Sequence, residues 1–366
     1  MNAPRLILVG GFLGAGKTTS LLALAKSYHE EGLRVGLITN DQAANLVDTG
    51  ALRVRGLRVE EVAGACFCCK FDELAQAADR LRVEEKPDVL LAEPVGSCTD
   101  LMATVVAPLK ALYSKSFRVA PYSVLIDPTR ARQIVLEKGF GGFSSKVAYI
   151  FLKQLEEAQV ICLNKVDKLA QVETEALLAV LANEFPKARL LPISAWTGEG
   201  LAAWRGLLDQ PADASLNIAE VDYDVYAVGE AELGWLNLTL RAEGKQPFDA
   251  DALVARLLGS MKDRLEASGA EIAHIKALFQ TDAGTSLANH TGGPYPPRLA
   301  QRIGQPVRAG QLVLNARVHG SPDGLRSVAV GAIQRALTDV GAEGRIEESA
   351  HFRPGRPTPT HRFLAS

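Results

Sequence analysis

From the start of the chain to about Leu208, short apolar runs alternate with longer stretches in which apolar positions recur every three or four residues. The short runs predict buried strands at Arg5 to Gly10, Arg34 to Thr39, Arg58 to Val62, Asp88 to Ala92, Tyr122 to Ile126, Gln159 to Leu163 and Arg189 to Ile193. Helical spacing appears at Leu21, Leu22, Leu24, Ala25 and Tyr28 within Thr18 to Tyr28, and at Leu74, Ala77, Ala78 and Leu81 within Phe71 to Lys86. This alternation predicts an α/β domain over residues 1–212, with a mostly parallel sheet, helices on both faces and ligands at the carboxyl ends of the strands. The polar segment Asp209 to Ser215, which contains Pro211, marks its expected end.

Beyond that segment the order changes. Strand patterns near Leu233 to Arg241, Ile272 to Gln280, Gln311 to Val318 and Arg345 to Phe352 enclose helical patterns near Asp249 to Ser268 and Leu325 to Val340. The sequence β-α-β-β-α-β predicts a smaller α+β, ferredoxin-like domain over residues 220–352. A long Gly/Pro-rich connection at residues 281–310 is expected to be functional or mobile. The tail 353–366, with Pro354, Pro357 and Pro359, is expected to be extended and flexible. No internal repeat is found.

Composition narrows the class. The chain has 366 residues, 47% of them hydrophobic, which suits packed cores in about two domains, and a net charge of -2 provides no field to gather nucleic acid or anionic lipid. No apolar run reaches the ~18 residues that cross a bilayer, and no cleavage pattern follows the N-terminal apolar stretch, so a cytoplasmic location is expected.

The residues Gly11 to Thr18, G-F-L-G-A-G-K-T, fit the phosphate-binding loop G-x-x-x-x-G-K-[ST], and they lie between a predicted strand and a predicted helix as that chemistry requires. Gly11, Gly14 and Gly16 allow positive φ and close approach of backbone amides to phosphate oxygens. Ala15 and Thr19 belong to the same cradle. Lys17 is placed to neutralise the β and γ phosphates, and the Thr18 hydroxyl to hold Mg²⁺.

Asn164-Lys165-Val166-Asp167 follows the strand ending at Leu163, and N-K-x-D in that place is the guanine-reading signature of P-loop GTPases. The Asp167 carboxylate can accept from guanine N1 and N2, which adenine cannot satisfy. Lys165 can lie along the base, Asn164 can tie this loop to the phosphate loop, and Ser194-Ala195 after the next strand matches the pair whose backbone meets guanine O6. GTP is therefore the expected nucleotide. At the ends of intervening strands, Asp41 and Glu93 can hold Mg²⁺ through water or orient the attacking water, and Gly96 can donate its amide to the γ-phosphate. Lys17, Asp41 and Glu93 form the expected catalytic set. Asp41 and Glu93 would also suit helix caps or turns.

Three of the five cysteines, Cys66, Cys68 and Cys69, fall in one short loop. In an extended segment Cys66 and Cys68 share a face and Cys69 points away, so three thiolates converge only if the loop bends. Soft thiolates at tetrahedral geometry favour Zn²⁺ or Cu⁺ and admit Co²⁺ or Ni²⁺. A redox dithiol is the competing reading, although a disulfide between such close cysteines is strained. Cys162, inside an apolar strand, reads as a core residue, and Cys98 is read as structural although it follows the Glu93 loop closely.

The motifs G-x-x-x-x-G-K-T, C-x-C-C, E-x-x-G and N-K-x-D, in this order, resemble the CobW/HypB/UreG family of GTPases, most closely its CobW-like branch, over roughly the first 210 residues. The resemblance implies a P-loop GTPase domain that hydrolyses GTP slowly, binds a transition metal, with Zn²⁺ or Co²⁺ expected, and delivers it to a metalloenzyme or serves a cobalamin pathway. It implies that Cys66, Cys68 and Cys69 are metal ligands, Asp41 and Glu93 switch or Mg²⁺ residues, and Asn164 and Asp167 guanine readers. The expected partners are a client metalloenzyme or cobalamin-pathway protein and a second copy of the chain in a homodimer, without nucleic acid or membrane. The chain departs from the family pattern in three places. Asn40-Asp41-Gln42-Ala43 stands for the usual N-E-x-G, P-V-G-S-C-T-D follows Glu93 in place of T-S-G, and the C-terminal half keeps a likeness only around Trp235 to Glu243, without a histidine-rich tract. His274, His290, His319, His351 and His361 are scattered. A GTP-dependent scaffold that docks a metalloenzyme or B12 enzyme without carrying metal, and a small-molecule kinase using the same loop, are the alternative readings.

Overall fold

The computed structural model describes residues 3–41, 47, 57–210, 216–293 and 295–364. It divides into two compact units, one holding the described residues of Met1–Gln42, Leu57–Gly229 and Arg356–Ser366, the other those of Ala43–Gly56 and Glu230–Gly355.

The first unit is built on parallel strands. β1 (Arg5–Gly11), β2 (Val35–Asp41), β3 (Arg58–Ala63), β4 (Val89–Glu93), β6 (Ser123–Ile126), β7 (Val160–Leu163) and β8 (Arg189–Pro192) lie in the order β3-β2-β4-β1-β6-β7-β8, and the short β5 (Arg118–Val119) pairs with the start of β1. All these pairings are parallel. Leu6, Ile7, Leu8 and Val9 of β1 and Val89, Leu90, Leu91 and Ala92 of β4 are buried, as a sheet covered on both faces demands. The helix Lys17–Glu30 buries Leu21, Leu24, Ala25 and Tyr28, with Leu22 half-buried at the edge of that stripe. The helix Phe71–Glu84 buries Leu74, Ala77, Ala78 and Leu81. Both apolar faces are those the spacing predicts. The chain lays β1 first, passes outward to β2 and β3, and returns to place β4 between β2 and β1 before continuing to β6 on the other side. Such reversals of strand order leave a crevice at the carboxyl edge, beside the ends of β1 and β4.

The second unit is an antiparallel sheet. β9 (Leu233–Phe248), β10 (Ile272–Thr281), β11 (Gly284–His290), β12 (Arg298–Gln301), β13 (Val307–His319) and β14 (Ala342–Phe352) take the order β12-β11-β10-β13-β9-β14. The strands β9, β10, β13 and β14 with the helices Ala250–Ala267 and Pro322–Val340 form the β-α-β-β-α-β arrangement, and residues of both helices join one core with Leu236, Leu238, Leu240, Leu312 and Leu314. The segment 281–310, read from sequence as a connection, contains β11 and β12. Its T-S-L-A-N-H composition lacks apolar alternation, and these residues form a strand because Thr281 and Gly284 close a tight hairpin that pairs β11 with β10 along its length. Residues 353–364 contain neither helix nor strand.

Candidate functional site

β1 ends at Gly11 and the first helix begins at Lys17, so the phosphate-loop motif forms the turn between them. Gly11 (φ 130°), Gly14 (φ 81°) and Gly16 (φ 94°) all take positive φ. A Cβ on Gly11 would stand 2.3 Å from the Leu125 carbonyl oxygen, and one on Gly16 would stand 2.5 Å from Asn164 Nδ2. The turn is therefore possible only with glycine at both positions. Phe12 anchors it from below by edge contacts with the rings of Phe143 and Phe151. Lys17 turns back over the loop and donates to the Gly11 carbonyl at 2.9 Å, which keeps its ammonium inside the turn. The Thr18 hydroxyl donates to Glu93 Oε1 at 3.0 Å, bringing a hydroxyl and a buried carboxylate together as oxygen donors suited to Mg²⁺. Gly96, three residues on, approaches so closely that an added Cβ would lie 2.9 Å from Lys17 Nζ and 3.0 Å from the Leu13 amide nitrogen. The Asp41 side chain lies outside the described residues.

The N-K-x-D segment is wired to the same turn. Asn164 Nδ2 donates to the Ala15 carbonyl at 2.8 Å, while its Oδ1 accepts from the amides of Lys165 at 2.9 Å and Ala195 at 3.1 Å. One buried amide side chain thus joins three loops. Lys165, held at φ 64°, donates from Nζ to the Gly14 carbonyl and to Asp127 Oδ2, both at 2.7 Å. Burial pushes the Asp127 pKa up, but the Lys165 ammonium and the capped amides of Thr129 and Arg130 outweigh it and hold the carboxyl below its usual range. Asp127 is a site residue that sequence reasoning missed; the available signal was Asp-Pro-Thr directly after a strand, a helix-start pattern. Asp167 is exposed, and its Oδ1 accepts from Ser194 Oγ at 2.6 Å, so Ser194 orients the carboxylate by side chain while Ala195 is positioned by backbone. Thr19 lies in the first turn of the helix that begins at Lys17.

The cysteine loop bends as three converging thiols require. Gly64 takes φ 93°, and the amides of Cys69 and Lys70 both donate to the Cys66 carbonyl at 3.0 Å, closing a turn. The sulfurs of Cys66, Cys68 and Cys69 then lie within 4.8 Å of one another, with separations of 2.9, 3.3 and 3.8 Å. A tetrahedral ion with bonds of about 2.3 Å sets its sulfurs roughly 3.8 Å apart, so the donor set fits such an ion after a small spreading. Hydrogen bonds from the Cys68, Cys69 and Cys98 thiols hold the Cys66 pKa well below that of an ordinary thiol. The bond to Cys66 raises Cys68 well above its ordinary value and takes Cys69 up to about 11. Cys162 lies fully buried in β7, and burial alone raises its pKa, which is the environment of a core cysteine.

Asn40, near the end of β2, clamps this loop. Its Nδ2 donates to the carbonyls of Val62 at 2.8 Å and Ala65 at 2.7 Å, and its Oδ1 accepts from the Phe67 amide at 2.8 Å. The C-terminal segment runs along the outer side of the same turn. The Thr358 amide donates to Cys69 Sγ at 3.2 Å, the Thr360 amide to the Cys68 carbonyl at 2.9 Å, and the Thr360 hydroxyl to the Cys69 carbonyl at 3.2 Å. Arg362 pairs with the buried Asp100 at 2.7 Å, and the His361 ring sits edge-on to Phe71 at 5.0 Å. The segment is extended, as its prolines suggest, and these bonds give it a fixed course beside the thiols.

The CobW/HypB/UreG nucleotide-binding domain family model matches residues 5–191. Among curated proteins, this chain is 28% identical over 173 residues to the zinc chaperone YeiR of Escherichia coli, covering 46% of this chain and 49% of that one. It is 27% identical over 210 residues to the zinc chaperone CobW of Pseudomonas aeruginosa, covering 50% of this chain and 54% of that one. The chain therefore spans about half the length of the curated relatives it matches. The solved structure of Zn(II)-bound YjiA GTPase from E. coli aligns with 91% of this chain and 99% of its own, at 14% identity and a TM-score of 0.37.

Asn40→Ala would remove the side chain that bonds the carbonyls of Val62, in β3, and Ala65 and the amide of Phe67, at a cost of about 1–3 kcal/mol for each group left unsatisfied. The loop should then open about tenfold more often or beyond. Cys66 and Cys68, 4% and 1% exposed, are expected to react correspondingly faster with a disulfide reagent. An unchanged rate would show that Asn40 does not hold the loop.

Proposed function

The chain belongs to the CobW/HypB/UreG family, whose match spans more than half of its length, and from that premise we propose that it is a GTP-binding, GTP-hydrolysing metallochaperone that carries a transition metal on Cys66, Cys68 and Cys69 and delivers it to a client metalloenzyme or a cobalamin pathway. The observation that carries this reading is the convergence of three thiols in a loop clamped by Asn40 after β3, with only β2 between that strand and β4, which ends at the buried Glu93 that meets Thr18. A scaffold without cargo has no use for such a donor set.

In this reading the Gly11 to Thr19 turn receives the triphosphate on its amides, with Gly14, Ala15 and Gly16 forming the floor and Lys17 meeting the β and γ phosphates. Thr18 and Glu93, with Asp41, would hold Mg²⁺, which would supply neutralisation of phosphate charge. Glu93 and Asp41 order the water that attacks the γ-phosphate, and Gly96 donates its amide to that phosphate. No arginine is aimed at the turn by sequence, so hydrolysis is slow until a partner accelerates it. Asn164, Lys165, Asp167, Ser194 and Ala195 select guanine. Zn²⁺ is the cargo best suited to three thiolates, and the relatives YeiR and CobW are zinc chaperones; Co²⁺ has the same geometry open to it. No helix among the described residues is long and apolar enough to cross a membrane. Reduced thiols in this arrangement suit the cytoplasm, where a client protein and a second copy of the chain are the partners.

Two measurements test the reading. Asp167→Ala removes the acceptor for the guanine N1 and N2 protons, and the preference for GTP over ATP should fall by about 10²-fold or more in competition binding; a protein that prefers ATP from the outset is a kinase-like enzyme instead. Anaerobically purified protein loaded with Zn²⁺ should retain about one ion per chain through desalting, and the double substitution Cys66→Ser with Cys68→Ser should lose it. Equal retention by both proteins would favour the scaffold.

A further inference from the structure

The loop that leaves β4 carries a fourth thiol to the cluster. Cys98 is 1% exposed, and its thiol stands beside those of Cys66 and Cys68, next to the three sulfurs of Cys66, Cys68 and Cys69 that lie within 4.8 Å of one another. Its sequence position, inside Val95-Gly96-Ser97-Cys98, gives no hint of this, because the cysteine loop lies after another strand. Its setting differs from that of Cys162, which sits within the β7 ladder. Two features hold Cys98 in place. The Cys98 amide donates to the Val95 carbonyl at 3.0 Å, closing a turn. The side chain of Gln154, itself 1% exposed, donates from Nε2 to the carbonyls of Gly96 at 3.0 Å and Cys98 at 2.7 Å. Just beyond, the Met102 amide donates to the buried Glu157 at 2.8 Å. The loop is a supported turn with its thiol directed at two others.

We propose that Cys98 is the fourth ligand of the metal held by Cys66, Cys68 and Cys69, so that the site closes as a four-thiolate tetrahedron whose last corner belongs to the nucleotide-sensing loop. This deepens the metallochaperone reading and rests on its claim that the cysteine loop binds metal. Three thiols from one tight turn leave one tetrahedral position unfilled, and a buried thiol beside two of them is a soft donor suited to fill it. The loop that bears it begins at Glu93, which accepts from Thr18, and passes Gly96, which packs against Lys17 and Leu13. A shift of Glu93 or Gly96 when phosphate enters or leaves is therefore transmitted within a few residues to Cys98. Withdrawal of Cys98 turns a closed, tight site into a three-thiolate site with an open position, which an acceptor protein can attack. Cargo is held in one nucleotide state and released in the other.

The test uses the full chain, anaerobically loaded with Co²⁺ as a spectroscopic probe and with Zn²⁺ for affinity. Sulfur-to-cobalt charge-transfer absorption scales with the number of bound thiolates, so Cys98→Ala should lose about a quarter of the intensity per ion. Zn²⁺ affinity in competition with a chelator should fall by at least the roughly 10–100-fold that loss of an outer hydrogen-bond partner costs a metal site. Cys162→Ala serves as the control and should change neither reading. X-ray absorption of the unmodified Zn²⁺ protein gives a count that does not depend on any variant folding, and a shell of four sulfurs is expected. Three sulfurs with one lighter atom, or a Cys98→Ala protein that matches the parent in spectrum and affinity while Cys66→Ser loses binding, overturns the proposal and leaves the metallochaperone reading standing. Failure of the unmodified chain to bind either ion overturns both.

Discussion

The parallel pairing of β4 between β1 and β2 is the constraint on which the rest depends. Its register sets Leu8 opposite Ala92 on one side and Thr39 opposite Glu93 on the other, so the three strands end at nearly the same level. At that level the three strands supply different chemistries. β1 supplies the phosphate turn, β4 supplies Glu93 and the loop to Cys98, and β2 supplies Asn40, whose amide grips the cysteine loop that follows β3. A slip of one residue in β4 would reverse the faces of its side chains, turning Glu93 away from Thr18 and carrying the β4 loop out of reach.

The contacts between these loops are hydrogen bonds with few alternatives. Asn40 satisfies three backbone groups at once, Asn164 joins three loops, and Gln154 holds two carbonyls of the β4 loop. Each net bond is worth about 0.5–1.5 kcal/mol, while a buried group left unsatisfied costs about 1–3 kcal/mol, so these elements shift as units or not at all. Units of this kind have discrete arrangements that a ligand can bias. The linkage needed between nucleotide and metal is about 1–3 kcal/mol, comparable with the making or breaking of one or two such bonds. The C-terminal segment adds a further restraint through the Thr358 amide on Cys69 Sγ and the Arg362–Asp100 pair, keeping the least buried of the three cysteines in line with the others.

Much of the architecture was legible in the sequence because its determinants are local. Alternating apolar runs located the parallel strands, the glycines of the phosphate turn are required by positive φ and close approach, and the β-α-β-β-α-β order of the second unit follows from its periodicity. The strands β11 and β12 were not legible, since Thr285, Ser286, Asn289 and His290 form a ladder with β10 rather than an apolar stripe. At the site, the motifs pointed to the residues proposed to meet ligands but not to those that hold them in place. Asn40, Asp127 and Gln154 act through bonds to groups far along the chain, and nothing in their neighbours announces those partners. The thiols illustrate the same limit. Spacing alone left the third sulfur uncertain, and only the turn at Gly64 and the bonds to the Cys66 carbonyl bring it in.

The central claim is that the nucleotide and the metal sense each other through this shared strand edge. The direct measurement is Zn²⁺ affinity of the full chain with a non-hydrolysable GTP analogue, with GDP and without nucleotide, at one pH and salt concentration. The account predicts affinities that differ by about tenfold or more between the GTP-analogue and GDP states, with GTP-analogue affinity altered by the same factor when Zn²⁺ is present. Three equal affinities would contradict it.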